Sequence, residues 1–307
     1  MNSSRENHIR FLQQSEIDPQ KWDQCLSVST NGLIYGYSFY LNQVAKNWSG
    51  LVLNDYEAVM PLPWNRKYGI RYLYQPAFAA QLGIFSTSPI SPALVTAFID
   101  HCKKNFRFCE MPMNPANALP DLPVRMNYIL DIQKSYEQIR KDYRKDMIQH
   151  LKSTGADTLT YNQTTDYPSV IALYKDLYGK RFPQVTETDY DRFSDLCKDL
   201  FQRKLSILRE VKDKNSETLL ASGIFFMDGK RIYNIMSVTS AEGRQKLANP
   251  YLFDQLIQEY SGGNLILDFE GSEIAGIAEF YRKFGSHPEP YPFLRFNRLP
   301  FPFRLWK

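Results

Sequence analysis

A chain of 307 residues has length for two domains or one large one, and its 43% hydrophobic and 14% aromatic content, with 20 Tyr and 20 Phe, excludes a disordered protein. Its 37 Lys and Arg stand against 33 Asp and Glu, a formal net charge of +4 that is too small for a dedicated nucleic-acid or membrane binder. Met1 to Gln14 holds Arg5, Glu6, His8 and Arg10 without an apolar run, and no apolar window of about 18 residues follows, so neither a signal peptide nor a transmembrane segment is expected.

In chain order, periodicity predicts helices near 19–28 and 38–47, strands near 50–54, 57–62 and 70–85, a helix from Ser91 to Lys104 and a strand at 107–111. Pro112 to Pro123 reads as a connection inside the first domain, followed by a strand at 126–131. The boundary is placed near Ile132 to Ser135, where Ser135 can cap the next helix, giving domains 1–133 and 134–307. Residues 135–153 put Tyr136, Ile139, Tyr143, Met147 and Leu151 on one face of a single helix. Helices near 167–178 and 190–203 precede strands at 205–211, 218–227 and 231–238, the last two joined through Asp228-Gly229 as a hairpin. Asn249-Pro250 reads as the cap and first turn of a helix stopped by Gly262-Gly263. A strand at 264–269, a helix near 274–284 and a strand near 291–297 follow.

Strand-helix-strand crossovers in this order require a mixed sheet with parallel pairs. The first half repeats the pattern loosely, with matching strand starts at 107 and 264, which implies an internal fold duplication. Cys25, Cys102, Cys109 and Cys197 form no CxxC pair and are expected as reduced thiols of a cytoplasmic protein. His8, His101, His150 and His287 show no metal-ligand spacing, so no metal is expected.

Three strands, a helix, a strand, a helix and a strand is the order of the GNAT acyltransferase fold, and a tandem pair resembles the FemAB-like branch of that superfamily. Two segments carry the resemblance further. Leu267-Asp268-Phe269-Glu270-Gly271-Ser272 ends a strand, and Ile277 to Gly285 (IAEFYRKFG) follows it. The second resembles the GNAT signature A-x-x-x-Y-x-K-x-G-F through Tyr281, Lys283, Phe284 and Gly285, with Ile277 in the usual small position and Ile274 where Asn is frequent. Fem-type aminoacyltransferases read more like F-K-x-x-F-G there, whereas here Phe280 is followed by Tyr281, which moves the expected mechanism toward a GNAT-like tyrosine. The run containing Arg140, Lys141, Arg144, Lys145 and Lys152 resembles the basic helix that opens the second FemAB-like domain, and Tyr74 to Phe85 is similar to a first-domain segment.

The resemblance implies an α/β chain of two GNAT-like domains in tandem, each a mixed, partly parallel sheet flanked by helices. It also implies acyl-CoA as co-substrate, held where two parallel strands splay, with Ser237 and Val238 at the strand end along its pantetheine arm. The pyrophosphate loop of such enzymes, Q/R-x-x-G-x-G/A, corresponds here to Ser240 to Pro250 (SAEGRQKLANP). Gly243 and Ala248 depart from its spacing, while Arg244, Gln245 and Lys246 offer charge and Asn249 a cap; the alternative is a solvated basic turn.

Tyr281 is the expected proton donor to the departing thiolate, the alternative being a core tyrosine. Glu270, before Gly271, is the expected proton acceptor from an amine, and only one of Asp268 and Glu270 is expected to face a cleft; the alternative is a helix cap or an Arg partner. Arg140, Arg144 and Lys145, expected on neighbouring helical turns, suit a phosphate-bearing acceptor, although such a run is usually a solvated face. The tail from Tyr291 to Lys307, with Arg295, Arg298, Arg304 and Lys307 among aromatics, can graze an anionic membrane or pack as a final strand. The expected activity is N-acyl transfer from acyl-CoA to a small amine acceptor. Its rivals are a Fem-type enzyme using aminoacyl-tRNA on a peptidoglycan precursor, and a catalytically silent GNAT-fold binding protein.

Overall fold

The structure, a computed structural model, describes residues 8–154, 158–271 and 274–306. It divides into two compact units, Met1–Arg125 with Pro290–Lys307, and Met126–Glu289. The chain therefore does not divide at 133/134, and the final strand does not belong to the second half. The reason is pairing: the strand before the expected boundary pairs within the second unit, and the final strand pairs within the first.

Unit 1 contains β1 (Ile9–Gln13), α1 (Pro19–Val28), α2 (Ser38–Val44), β2 (Trp48–Leu53), β3 (Ala58–Lys67), β4 (Ile70–Leu73), β5 (Phe85–Ser86), α3 (Pro92–Asn105) and β6 (Phe108–Pro112). Asp18 accepts from the N–H groups of Gln20 and Lys21 with Pro19 in the first turn, and Ser91 caps α3 ahead of Pro92 in the same way. The sheet runs β1-β2-β3-β4-β6, with β5 on β3 and β4 parallel to β6. The residues predicted as one strand over 70–85 form only β4 and β5. Pro76 removes a ladder donor, and Phe78 (φ +62°) and Gly83 (φ +89°) turn the chain between them.

Next come β7 (Val124–Asp131), α4 (Tyr136–Lys141), α5 (Lys145–Thr154), β8 (Leu159–Gln163), α6 (Tyr167–Tyr178), α7 (Glu187–Gln202), β9 (Ser206–Asp213), β10 (Leu219–Met227) and β11 (Arg231–Thr239). After them come α8 (Ala241–Gln245), α9 (Ala248–Tyr260), β12 (Ile266–Asp268), α10 (Ala275–Arg282) and β13 (His287–Asn297). The unit 2 sheet runs β7-β12-β11-β10-β9-β8, antiparallel except for β11 and β12. In β13, Phe293–Asn297 pairs antiparallel with β6 of unit 1.

The helix expected over 135–153 is two. The apolar face is continuous, since Ile139, Tyr143, Met147 and Leu151 all join the buried cluster of Leu130, Phe225, Phe253 and Phe269. The backbone is interrupted between them, where the Arg144 N–H donates to the Lys283 carbonyl (2.9 Å). Gly285, at φ +79°, backs onto the same break; a Cβ there would lie 2.8 Å from the Asp142 Cβ.

Candidate active site in unit 2

β11 and β12 pair in parallel only from Arg231–Ile266 to Tyr233–Asp268. On its other edge β11 stays paired with β10 as far as Thr239, with a register shift that leaves Ile235 as a bulge. Beyond Tyr233, the β12-facing edge of β11 is therefore outside the ladder. The Asn234 amide spans the opening to the Phe269 carbonyl (3.4 Å).

The chain leaves β12 through a strained turn. Glu270 has φ +66°, a left-handed conformation that costs a non-glycine residue on the order of 1 kcal/mol or more. The Asp268 carboxylate holds the turn by accepting from the Glu270 N–H (2.9 Å). Asp268 is otherwise occupied by Arg231 (2.9 Å) and Asn127 (2.9 Å), and Arg231 also grips Glu289 (2.8 Å). Asp268 is thus a structural anchor. Among the described residues Glu270 takes neither of its alternative roles: α10 begins after Ile274 without a side-chain cap, and the Glu270 Oε1 is shielded from water with no hydrogen-bond partner. Burial pushes its carboxyl up to about 8.

Tyr281 of α10 lies close enough to feel the charge of this carboxyl. Its ring stacks on Phe269 at 4.6 Å, and its phenol is raised well above the ordinary value by burial and then by the Glu270 charge, with the Asn234 amide opposing them. Within the motif, the side chain that packs α10 into the core is Ala278, while Ile277 is exposed. Ser272 lies outside the described residues.

A cleft of about 330 Å³ opens at the far end of β11, lined by Thr239, Arg244, Asn249, His150, Phe280 and Lys283. Asn249 does not cap α9. The helix begins one residue earlier, after Leu247 in a left-handed conformation (φ +54°), so Asn249 sits inside the first turn with its Oδ1 buried and unpaired among the described residues. The first N–H groups of α9 accordingly have no side-chain cap.

The other expected cofactor residues scatter. Gln245 is exposed, and Lys246 turns away to Asp213 (2.5 Å) and Glu242 (2.7 Å). Val238 is core and Ser237 half-buried, both in the β11 stretch whose β12-facing edge is free. Arg140, Arg144 and Lys145 do not converge, because the helix that was to align them is broken. Arg140 lies over the Tyr136 ring beside Asp254, Arg144 pairs with Glu279 of α10, and Lys145 is exposed at the start of α5. Sequence reasoning missed Asn234, whose only signal is a polar residue inside the apolar run RIYNIMSV, and the cleft role of His150 and Lys283.

All four cysteines are free and buried, and burial raises the Cys25 thiol to about 11 and that of Cys102 to about 12, which disfavours thiolate chemistry. Among the described residues no group of three or more His, Cys, Asp and Glu side chains is placed to hold a metal ion, and no helix is long and apolar enough to cross a membrane.

The chain aligns with the crystal structure of FemX at a TM-score of 0.64, covering 92% of this chain and 97% of that one at 12% identity. It aligns with a tandem GNAT protein from the clavulanic acid biosynthesis pathway at 0.53, covering 95% and 99% at 10% identity. The fold is GNAT-like, of the FemAB kind. L-PGS from Bacillus licheniformis shares it at a TM-score of 0.51, with 94% and 95% covered at 10% identity. No family profile and no curated protein matches the sequence.

Proposed function

We propose that unit 2 transfers an acyl group from acyl-CoA to an amine, with Glu270 as base and Tyr281 as acid. The observation that carries the reading is the Glu270 carboxyl, raised to about 8, with its Oε1 shielded from water and unpaired among the described residues, near Tyr281 where two parallel strands part. A carboxyl held near neutral pH suits proton transfer, and its Oε1 has no partner among the described residues. The amine nitrogen attacks the thioester carbonyl, Glu270 takes the nitrogen's proton, the C–S bond breaks, and Tyr281 protonates the sulfur. Proton return from Glu270 to Tyr281 restores both groups.

From Asn234 to Thr239, β11 advances about 16 Å at ~3.3 Å per residue. A donor spanning that distance would set its thioester near Tyr281 and its phosphates near the open N–H groups of α9, with Arg244 adding positive charge and Lys283 shared with Asp146 (2.7 Å). In that frame Ser237 and Val238 would offer main-chain groups to the pantetheine arm, and Arg244 and Asn249 would meet phosphate, while Gln245 and Lys246 would not.

A second reading, an aminoacyl-tRNA donor, is favoured by the likeness to FemX and by the same cationic cleft. Calorimetric titration with acetyl-CoA separates the two. Saturable one-site binding is expected, with a stabilisation of about 2.7 kcal/mol at ~100 times Kd. Tyr281→Phe should leave that binding unchanged and slow turnover by ~10- to 10⁴-fold. No binding at millimolar ligand, together with ribonuclease-sensitive transfer from charged tRNA, would replace the CoA reading with the second one.

A further inference from the structure

Unit 1 carries an aromatic and basic surface that acyl transfer does not use. Tyr68, at the tip of the β3–β4 hairpin, is 69% exposed, and Phe301 is 81% exposed; no other large apolar side chain among the described residues is as open. The Tyr68 ring stacks at 5.7 Å on Phe303, two residues along the chain from Phe301, so the hairpin tip and the segment that carries Phe301 meet. Beside the Tyr68–Phe303 stack lies a groove of about 200 Å³ lined by Ile70, Tyr72 and Leu299. The tip is held out by backbone: Tyr68 (φ +50°) and Gly69 (φ +79°) form the tight turn, and nothing lies within 4 Å of where a Gly69 Cβ would be.

The two segments that carry these rings hold charge of one sign only. Residues 65–72 and 298–304 hold Arg66, Lys67, Arg71, Arg298 and Arg304 and no carboxylate. All but Arg71 are exposed. Arg298 bonds through its main chain to the Arg107 carbonyl (2.7 Å) and through its guanidinium to the Lys103 carbonyl (2.9 Å), which joins the patch to a second basic edge. The small net charge of the whole chain conceals this local concentration.

We propose that this face of unit 1 docks on an anionic lipid surface, with Tyr68 and Phe301 entering the headgroup region and the surrounding cations meeting lipid phosphates. Apolar tips inside a cationic collar gain from both the apolar boundary and the negative surface potential. The polar side chains beside the rings are already committed and offer little for reading nucleic-acid bases. Asn65 Oδ1 accepts from the Arg66 N–H (2.8 Å), and Asn297 is bonded to Leu299 (3.2 Å) and Arg304 (3.4 Å).

Co-sedimentation of the full chain with vesicles of phosphatidylcholine, with and without phosphatidylglycerol, tests this. Binding is expected only to the anionic vesicles and should weaken as salt is raised. Arg66→Gln combined with Lys67→Gln should weaken it by about 25-fold, at about fivefold per cation near the surface. Phe301→Ser should weaken it by about tenfold. Both variants alter exposed side chains, and unchanged thermal melts would exclude misfolding as the cause. Absence of binding, or binding that neither variant changes, overturns the proposal. So does self-association that Phe301→Ser abolishes, which would assign the face to a second copy, or tighter binding to single-stranded RNA than to anionic vesicles.

Discussion

Glu270 combines a left-handed backbone with a carboxyl oxygen that neither water nor any described side chain satisfies. Burial lifts its carboxyl from 4.5 to about 8, so the folded chain holds this proton more tightly than the unfolded chain does. Its contribution to stability is therefore complete below about 4.5, falls as pH rises toward about 8, and is lost beyond. Glu270→Gln keeps a neutral, nearly isosteric group. The stability difference between variant and parent should grow in the variant's favour through that window, to a few kcal/mol at roughly 1.4 kcal/mol per pKa unit. Thermal melts at a series of pH values measure it, and parallel curves would show that the carboxyl does not titrate in this range. The same variant should lose the rise of transfer rate with pH centred near 8.

Gly285 shows how one element fixes another. It follows α10 at φ +79° and lies against Asp142 in the gap between α4 and α5, where the Lys283 carbonyl receives the Arg144 N–H. Gly285→Ala meets a left-handed backbone and a 2.8 Å approach together. It should cost about 1–2 kcal/mol or more and lower the melting temperature by about 2–4 °C per kcal/mol. An alanine variant that melts with its parent would show that the junction relaxes freely.

The break itself was not legible in the sequence. Apolar spacing runs unbroken through Tyr143, and only the docking of a distant segment interrupts the backbone. Local structure was legible wherever it was self-contained: the helix near 19–28 is α1, and Asp228-Gly229 turns β10 into β11. The edge strands β1 and β8 were missed because each buries only one residue fully and so has little alternation to read. Lys246 was misplaced because its partner, Asp213, is supplied by another strand's end.

At the scale of the molecule, unit 1 is assembled from the two ends of the chain, with unit 2 between them. Phe293–Asn297 covers the edge of β6, a strand that would otherwise present open N–H and C=O groups. Removing Pro290–Lys307 should therefore lower the unfolding temperature of unit 1 and promote aggregation, while unit 2 retains its own transition in calorimetry. A truncated chain with the parent's full thermogram would show that β13 is dispensable.

The same connectivity sets an order of events during synthesis. The Cys109 thiol lies against the Leu294 carbonyl across 185 residues of chain. At about 5–20 residues per second a ribosome needs about 10 to 40 s to deliver the second partner after the first. Unit 2 is fully translated within that interval. The amino-terminal unit is thus the last to be completed, and until then its β6 edge is exposed in the nascent chain.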